Sequence, residues 1–103
     1  MAKRTEILDA AKRCVVGDRE QDYGRPENSF ETIGLLWSVY LRAAYPELAK
    51  VMGVNRIKPK DVAAMLALLK IARIASGHAK EDNWVDLAGY AACGGEIETE
   101  EIT

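Results

Sequence analysis

The chain has 103 residues, of which 49% are apolar and 29% charged, so it is long enough for one domain and too apolar for a disordered chain. Its net charge is −2, but the last eight residues, 96–103, contain four glutamates and no basic residue, which leaves +2 on residues 1–95. This small positive charge argues against a duplex-DNA binder, which normally has a basic stripe, but it is enough for one phosphate pocket.

The first half of the sequence predicts two helices and a short helical turn. Apolar residues recur at helical spacing from residue 5 to residue 16. Proline is favoured in the first turn of a helix, so Pro26 predicts the start of a second helix, which ends near Ala44. A short helical segment over residues 47–52 follows, and Gly53 closes it.

A third helix is predicted from Pro59, and its composition is unusual. Between Val62 and Ser76 the only charged residues are Lys70 and Arg73, and apolar residues cover the whole circumference. A helix that is apolar on every side is normally buried on every side, and the other helices of one short chain would leave a flank of it open. The sequence therefore predicts a homo-oligomer, a dimer or a higher assembly.

The last predicted helix begins near Asp82, a good N-cap residue, and ends at Gly94-Gly95. This places a single helical domain at residues 1–95 and an acidic, mobile tail at residues 96–103. No segment alternates apolar and polar residues as a strand would. The fold class that follows is all-α, a small bundle of four main helices.

Two short polar segments share one spacing and are candidates for a site. Asn28 and Glu31 lie three residues apart early in the second helix, and Asn83 and Asp86 do so early in the last one. If these helices lie side by side, their oxygen-bearing groups converge, and Mg²⁺ usually binds one or two carboxylates together with substrate phosphates. Glu31 and Asp86 are therefore the metal candidates. Alternatively, the polar residues only cap and solvate their first helical turns.

Basic side chains offer a second set of candidates for phosphate binding. Lys70 and Arg73 share one side of the apolar helix, where they either extend to the surface or pair with Glu31, Asp86 or a bound phosphate.

A third candidate is the segment before Pro26. Arg25 lies at a helix N-terminus, where anions bind, and Tyr23 offers a ring for stacking. Alternatively, this segment is only a turn. No glycine-rich phosphate loop and no nucleophile set is present in the sequence.

Several strings together resemble a group of short phage and prophage proteins over about residues 18–96. They are Asp22-Tyr23-Gly24, Asn28-Ser29-Phe30-Glu31, Leu36-Trp37, Ile57-Lys58-Pro59-Lys60-Asp61-Val62-Ala63, Leu69-Lys70-Ile71-Ala72-Arg73 and Asp82-Asn83-Trp84-Val85-Asp86-Leu87-Ala88-Gly89-Tyr90. That group is in turn distantly similar to the MazG-like nucleoside triphosphate pyrophosphohydrolases. Those enzymes are all-α oligomers that bind magnesium through a Glu-x-x-Glu and a Glu-x-x-Asp.

This resemblance implies that Glu31 and Asp86 match the second acid of each box. Asn28 and Asn83 stand where the hydrolases have the leading acids. Two carboxylates in place of four lower the affinity for a cation, and they make activation of water by several metal ions doubtful. The resemblance therefore implies a site that holds a nucleotide better than it cleaves one.

Three functions are compatible with the residue patterns and the resemblance, and sequestration of nucleotide messengers is implied by the resemblance and its altered metal boxes, not by any motif. The first is a phage nucleotide-binding protein, with Tyr23, Arg25, Asn28, Lys70, Arg73 and Asn83 as ligand contacts, that sequesters nucleotide messengers of anti-phage immunity as a sponge. The second is a Mg²⁺-dependent nucleoside triphosphate pyrophosphohydrolase that uses Glu31 and Asp86. The third is a protein-interaction module without a small ligand. Because no apolar run is long enough to span a membrane and no signal peptide is evident, we expect a cytoplasmic protein, in the host cell if it is phage-encoded.

Overall fold

The structure is a computed structural model that describes residues 3–16, 26–77 and 80–102. Its described residues form helices and no strand, so the predicted all-α class is confirmed. The helices are α1 (Arg4–Val16), α2 (Pro26–Ala44), α3 (Pro46–Met52), α4 (Pro59–Ala75) and α5 (Glu81–Ile102). The four long ones match the four main helices predicted, and α3 is the predicted short turn. None of the described helices is both long and apolar enough to cross a membrane.

Proline sets the start of three of these helices. Pro26, Pro46 and Pro59 each occupy the first helical residue, where the missing N–H of proline costs no intrahelical hydrogen bond. At α4 the backbone N–H of Lys58 also donates to a carboxylate oxygen of Asp61 at 3.1 Å. This bond holds the Asp61 carboxylate beside the first turn of α4, where the helix dipole favours a negative charge.

The helices enclose a small core where α2, α4 and α5 meet. Its buried residues are Phe30, Val62, Ala63, Cys93 and Ile97. The most extensive helix contact is between α4 and α5, while α1 packs on α5 and α2 packs on α4. The rings of Phe30 and Tyr90 lie 6.4 Å apart between their centroids, so α2 and α5 are in contact, which is the condition under which the two polar segments were expected to converge.

The end of the last helix was predicted incorrectly. It does not end at Gly94-Gly95 but continues to Ile102, so the segment predicted as a mobile tail is helical up to that residue. A Cβ at Gly94 would lie 3.1 Å from the Cβ of Ala63, so this glycine allows a close approach of α4 and α5. Ile97, beyond the glycines, is buried in the core, and this packing outweighs the low helix propensity of glycine.

The start of the same helix also differs from the prediction. It begins at Glu81, so Asp82 lies inside the first turn and is not the N-cap. An acidic residue is favoured by the helix dipole at either position, and the pattern alone therefore places the start only to within a residue or two.

The apolar helix α4 is not buried on every side within one chain. Val62 and Ala63 are buried, but Met65, Leu68, Leu69 and Ile71 are each 43–61% exposed. The other described helices therefore leave much of the second half of α4 open, including Leu69, which lies two turns after Val62 on the same side of the helix.

Candidate functional site

Two polar contacts cross between α4 and α5 at the same end of this helix pair. The Lys70 ammonium lies 3.0 Å from a carboxylate oxygen of Asp86. Three residues further along α4, the Nε–H of Arg73 donates to the side-chain oxygen of Asn83 at 3.1 Å. Asn83, the partner of Arg73, lies three residues before Asp86 in α5, because the two helices run antiparallel. We call these four residues the α4–α5 polar cluster.

The polar cluster is partly shielded from water. The side chains of Lys70 and Asp86 are 18% and 30% exposed, and Asn83 as a residue is only 3% exposed. Groups withdrawn from water to this extent require polar partners, since an unpaired charge at such a position is costly. Of the two alternatives for the basic residues, Lys70 pairs with Asp86, as one of them predicted, whereas Arg73 is exposed and bonds Asn83, a partner that neither alternative named.

The cluster carries more positive than negative charge. Lys70 and Arg73 each contribute +1, Asp86 contributes −1, and Asn83 is neutral, so the net charge is +1. Arg73 is exposed as a residue, and of its guanidinium nitrogens only Nε has a hydrogen-bond partner among the described residues. Its two Nη groups therefore remain able to bind a bidentate acceptor, which is the geometry that phosphate and carboxylate groups offer.

The other metal candidate, Glu31, is paired elsewhere. Its carboxylate lies 2.9 Å from an Nη atom of Arg56, in the connector between α3 and α4. Each of the two acids thus has its own cation, Arg56 for Glu31 and Lys70 for Asp86. The described part of the chain contains no group of three or more His, Cys, Asp or Glu residues that could hold a metal ion.

Three of the predicted ligand contacts cannot be placed. Tyr23 and Arg25 lie outside the described residues, and so does the side chain of Asn28, although its backbone belongs to α2. Of the eight predicted site residues, the structure brings together Lys70, Arg73, Asn83 and Asp86, while Glu31 contacts Arg56.

Sequence reasoning missed two polar residues that matter here. Arg56 was read as part of a connector, although it is the partner of Glu31 from 25 positions away. Ser38 is buried, and its hydroxyl donates to the carbonyl of Gly34 at 2.7 Å while accepting from the backbone N–H of Ile57 at 2.8 Å. A serine in an apolar helix is the only sequence signal for the second contact, and nothing in the pattern names its partner.

Comparison with known proteins places the chain among phage proteins. It is 37% identical over 87 residues to the "Gene 55 protein" of Mycobacterium phage D29, an alignment that covers 84% of the chain and 50% of that relative. It is 41% identical over 85 residues to the "Gene 55 protein" of Mycobacterium phage L5, covering 82% of the chain and 47% of that relative. The chain therefore spans about half the length of the curated relatives it matches.

These relatives confirm the resemblance to phage proteins that the sequence strings indicated. No solved structure matches the chain. The family described as "Domain of unknown function (DUF6378)" matches residues 6–98, which include α2, α3, α4 and both contacts of the polar cluster. The chain therefore belongs to this family.

Proposed function

We propose that this chain binds the phosphate groups of a nucleotide at the α4–α5 polar cluster. The observation that carries the proposal is Arg73, whose Nε is fixed by Asn83 while its Nη groups have no partner among the described residues. A guanidinium held in this way loses little freedom when it binds an acceptor, and a net charge of +1 around it attracts an anion.

We further propose that the nucleotide is held and not cleaved. Asp86 already neutralises Lys70, and Glu31 already neutralises Arg56, so a magnesium ion at either acid competes with an internal cation. Pyrophosphate hydrolysis on a MazG-like plan needs several carboxylates around the metal, and Asn83 supplies an amide at one of the positions. In this proposal Mg²⁺ enters only together with the phosphates it neutralises.

The proposed biological role is that of a sponge for nucleotide messengers of anti-phage immunity. Support for this role comes from the two relatives, both of which are phage proteins. A phage protein that sequesters a signalling nucleotide without turnover lowers its free concentration in proportion to the amount of protein made. Binding without hydrolysis is therefore sufficient for the role.

A panel of linear and cyclic nucleotides, each with and without Mg²⁺, tests the proposal. The protein is incubated with each nucleotide and separated from free ligand, and the bound material is released by heat and analysed by chromatography. Recovery of intact nucleotide is the expected result. Recovery of monophosphate and pyrophosphate means that the chain is a hydrolase, and absence of both binding and turnover at high protein concentration overturns both functions.

Substitution of Asp86 distinguishes nucleotide binding from magnesium-dependent hydrolysis. Asp86→Asn removes a negative charge from the cluster but leaves Lys70 and Arg73 in place, so we expect nucleotide affinity to be kept or raised. A magnesium-dependent hydrolase would instead lose its activity, because the variant removes a metal ligand. Loss of nucleotide binding in a folded Asp86→Asn protein would contradict the proposed role of the cluster.

A further inference from the structure

We propose that the open sides of α2 and α4 form an interface between copies of this chain. The α2 face consists of Leu35, Leu36, Val39 and Tyr40, and the α4 face of Met65, Leu68, Leu69 and Ile71. All eight residues are large and apolar and are 43–67% exposed. This inference does not rest on nucleotide binding, and the two can fail separately.

The α2 face lies on the side of its helix away from the core, whereas the exposed apolar residues of α4 lie in the middle and second half of that helix, beyond the buried Val62 and Ala63. Leu35, Leu36, Val39 and Tyr40 follow the i, i+1, i+4, i+5 spacing of one side of a helix, while Phe30 and Ser38 on the opposite side are buried. On α4 the basic residues Lys70 and Arg73 contact α5, and Leu69 lies one turn before Arg73, so the exposed apolar residues border the proposed phosphate site.

The total accessible surface of the chain indicates that a further chain covers these faces. A compact protein of 11.4 kDa exposes about 5,800 Å² of surface. This chain exposes 7480 Å², an excess of about 1,700 Å² over that compact expectation. A standard protein interface buries about 800 Å² on each partner, and permanent ones bury more. An excess of this size is sufficient for one such interface on each chain.

The radius of gyration leads to the same conclusion. A compact chain of 103 residues has a value of about 13 Å, whereas this chain has 15.5 Å. The helices are thus spread more widely than a self-sufficient bundle of this length, as expected where part of the core is completed by another subunit.

The chemistry of the faces favours a second copy over a different partner. Residues 32–41 and 62–69 contain no charged side chain at all. Interfaces of permanent homodimers are more apolar than transient ones, and a binding site for a lipid surface needs basic residues beside its apolar ones. In a symmetric dimer each copy contributes the same face, so an exposed helix side can pack against its own counterpart in the second copy.

Light scattering after size-exclusion chromatography tests the assembly itself. We expect the mass of a dimer or a larger oligomer between about 5 and 200 µM protein, since apolar interfaces of this kind are typical of obligate homo-oligomers, which stay assembled at such concentrations. A folded protein with monomer mass at the highest concentration overturns the proposal and leaves the faces to another partner.

Charged substitutions test which surface is used. Val39→Glu on the α2 face and Leu68→Glu on the α4 face place a carboxylate in the proposed interface. Val54→Glu is the matched control, because Val54 is 99% exposed and lies in the connector, outside both faces. We expect the two face variants to lose oligomer mass and the control to retain it. Unchanged mass in both face variants overturns the proposal.

A labelling experiment keeps the test valid if a charged variant does not fold. Leu68→Cys and Val54→Cys each introduce a small thiol, and the rate of maleimide attachment at that position is followed by peptide mass spectrometry. In the oligomer we expect the thiol of Leu68→Cys to react at least tenfold more slowly than that of Val54→Cys. Equal rates would show that the α4 face remains open to water, and the proposal would then be wrong.

Discussion

Ser38 connects helix α2 to the backbone of the connector that leads into α4. Its buried hydroxyl accepts a hydrogen bond from the N–H of Ile57 at 2.8 Å and donates one to the carbonyl of Gly34 at 2.7 Å. The Ile57 carbonyl in turn lies directly against Gly34, with its carbon atom 3.2 Å from where a Cβ would be. These contacts hold the connector against α2 immediately before α4 begins.

Replacement of Ser38 by alanine is predicted to destabilise the fold. The variant leaves the Ile57 N–H without its acceptor, which costs about 1–3 kcal/mol of the free energy of unfolding. For a domain of this size that corresponds to a fall in Tm of about 4–8 °C per kcal/mol. Urea unfolding at one fixed protein concentration measures the effect. Ser29→Ala is the control, since Ser29 is exposed in the same helix, and equal stability of the two variants would contradict the assignment.

Gly34→Ala and Gly95→Ala are predicted to have opposite effects. A methyl group at Gly34 overlaps the backbone of Ile57, and relieving that overlap costs about 1–3 kcal/mol. At Gly95 a Cβ meets nothing within 4 Å, so alanine gains up to about 1 kcal/mol from its higher helix propensity. Thermal unfolding of both variants beside the wild type gives the sign of each change. A stabilised Gly34→Ala protein would mean that the connector does not pack on α2 as described.

The Lys70–Asp86 pair is predicted to contribute more to stability than an exposed pair. A double-mutant cycle with Lys70→Met and Asp86→Asn should give a coupling energy of about 1–3 kcal/mol, between the values for exposed and for fully buried ion pairs. Lys50 and Glu47 form the comparison pair, 3.4 Å apart and largely exposed, for which a coupling below about 0.5 kcal/mol is expected. Similar coupling energies in the two cycles would refute the partial burial of the cluster.

Ile97 is predicted to be a core residue although it follows two glycines. Ile97→Ala should lower the free energy of unfolding by about 2–5 kcal/mol, as expected for a large aliphatic residue that is buried. The exposed neighbour Glu96 provides the control, and Glu96→Ala should change stability by less than about 0.5 kcal/mol. If Ile97→Ala is as stable as the control, the last turns of α5 do not pack on the core in solution.

Local sequence signals were sufficient for most of the helix boundaries. Pro26, Pro46 and Pro59 fix their own φ angle and lack an N–H, so each identifies a helix start without reference to the rest of the chain. The same local reasoning failed at Gly94-Gly95. A glycine can mark the end of a helix or a place where two helices approach closely. Which of these applies to Gly94 is evident only from Ala63 of α4, which packs directly against it.

The side-chain contacts of the candidate site were predictable only in part, because the sequence analysis allowed for a Lys70–Asp86 pair but not for the partners of Arg73 and Glu31. Spacing placed Lys70 with Arg73 and Asn83 with Asp86 on shared helix sides, and the structure joins these two sets. Glu31 was grouped with Asp86 because both follow an asparagine at the same spacing, yet its partner is Arg56. Arg56 lies beside α2 because the adjacent residue Ile57 packs on Gly34 and Ser38. The spacing of residues in the sequence does not predict this packing.

Calorimetric titration of wild type, Arg73→Gln and Arg13→Gln with the nucleotide that the panel identifies is the most direct test of the central claim. Arg13, exposed at the end of α1, is the control for loss of one positive charge. A charge-assisted hydrogen bond to phosphate contributes about 1.5–3 kcal/mol, so we predict that Arg73→Gln weakens binding at least tenfold and that Arg13→Gln leaves it unchanged. Equal affinities of the wild type and a folded Arg73→Gln protein would contradict the assignment of the phosphate site to the α4–α5 polar cluster.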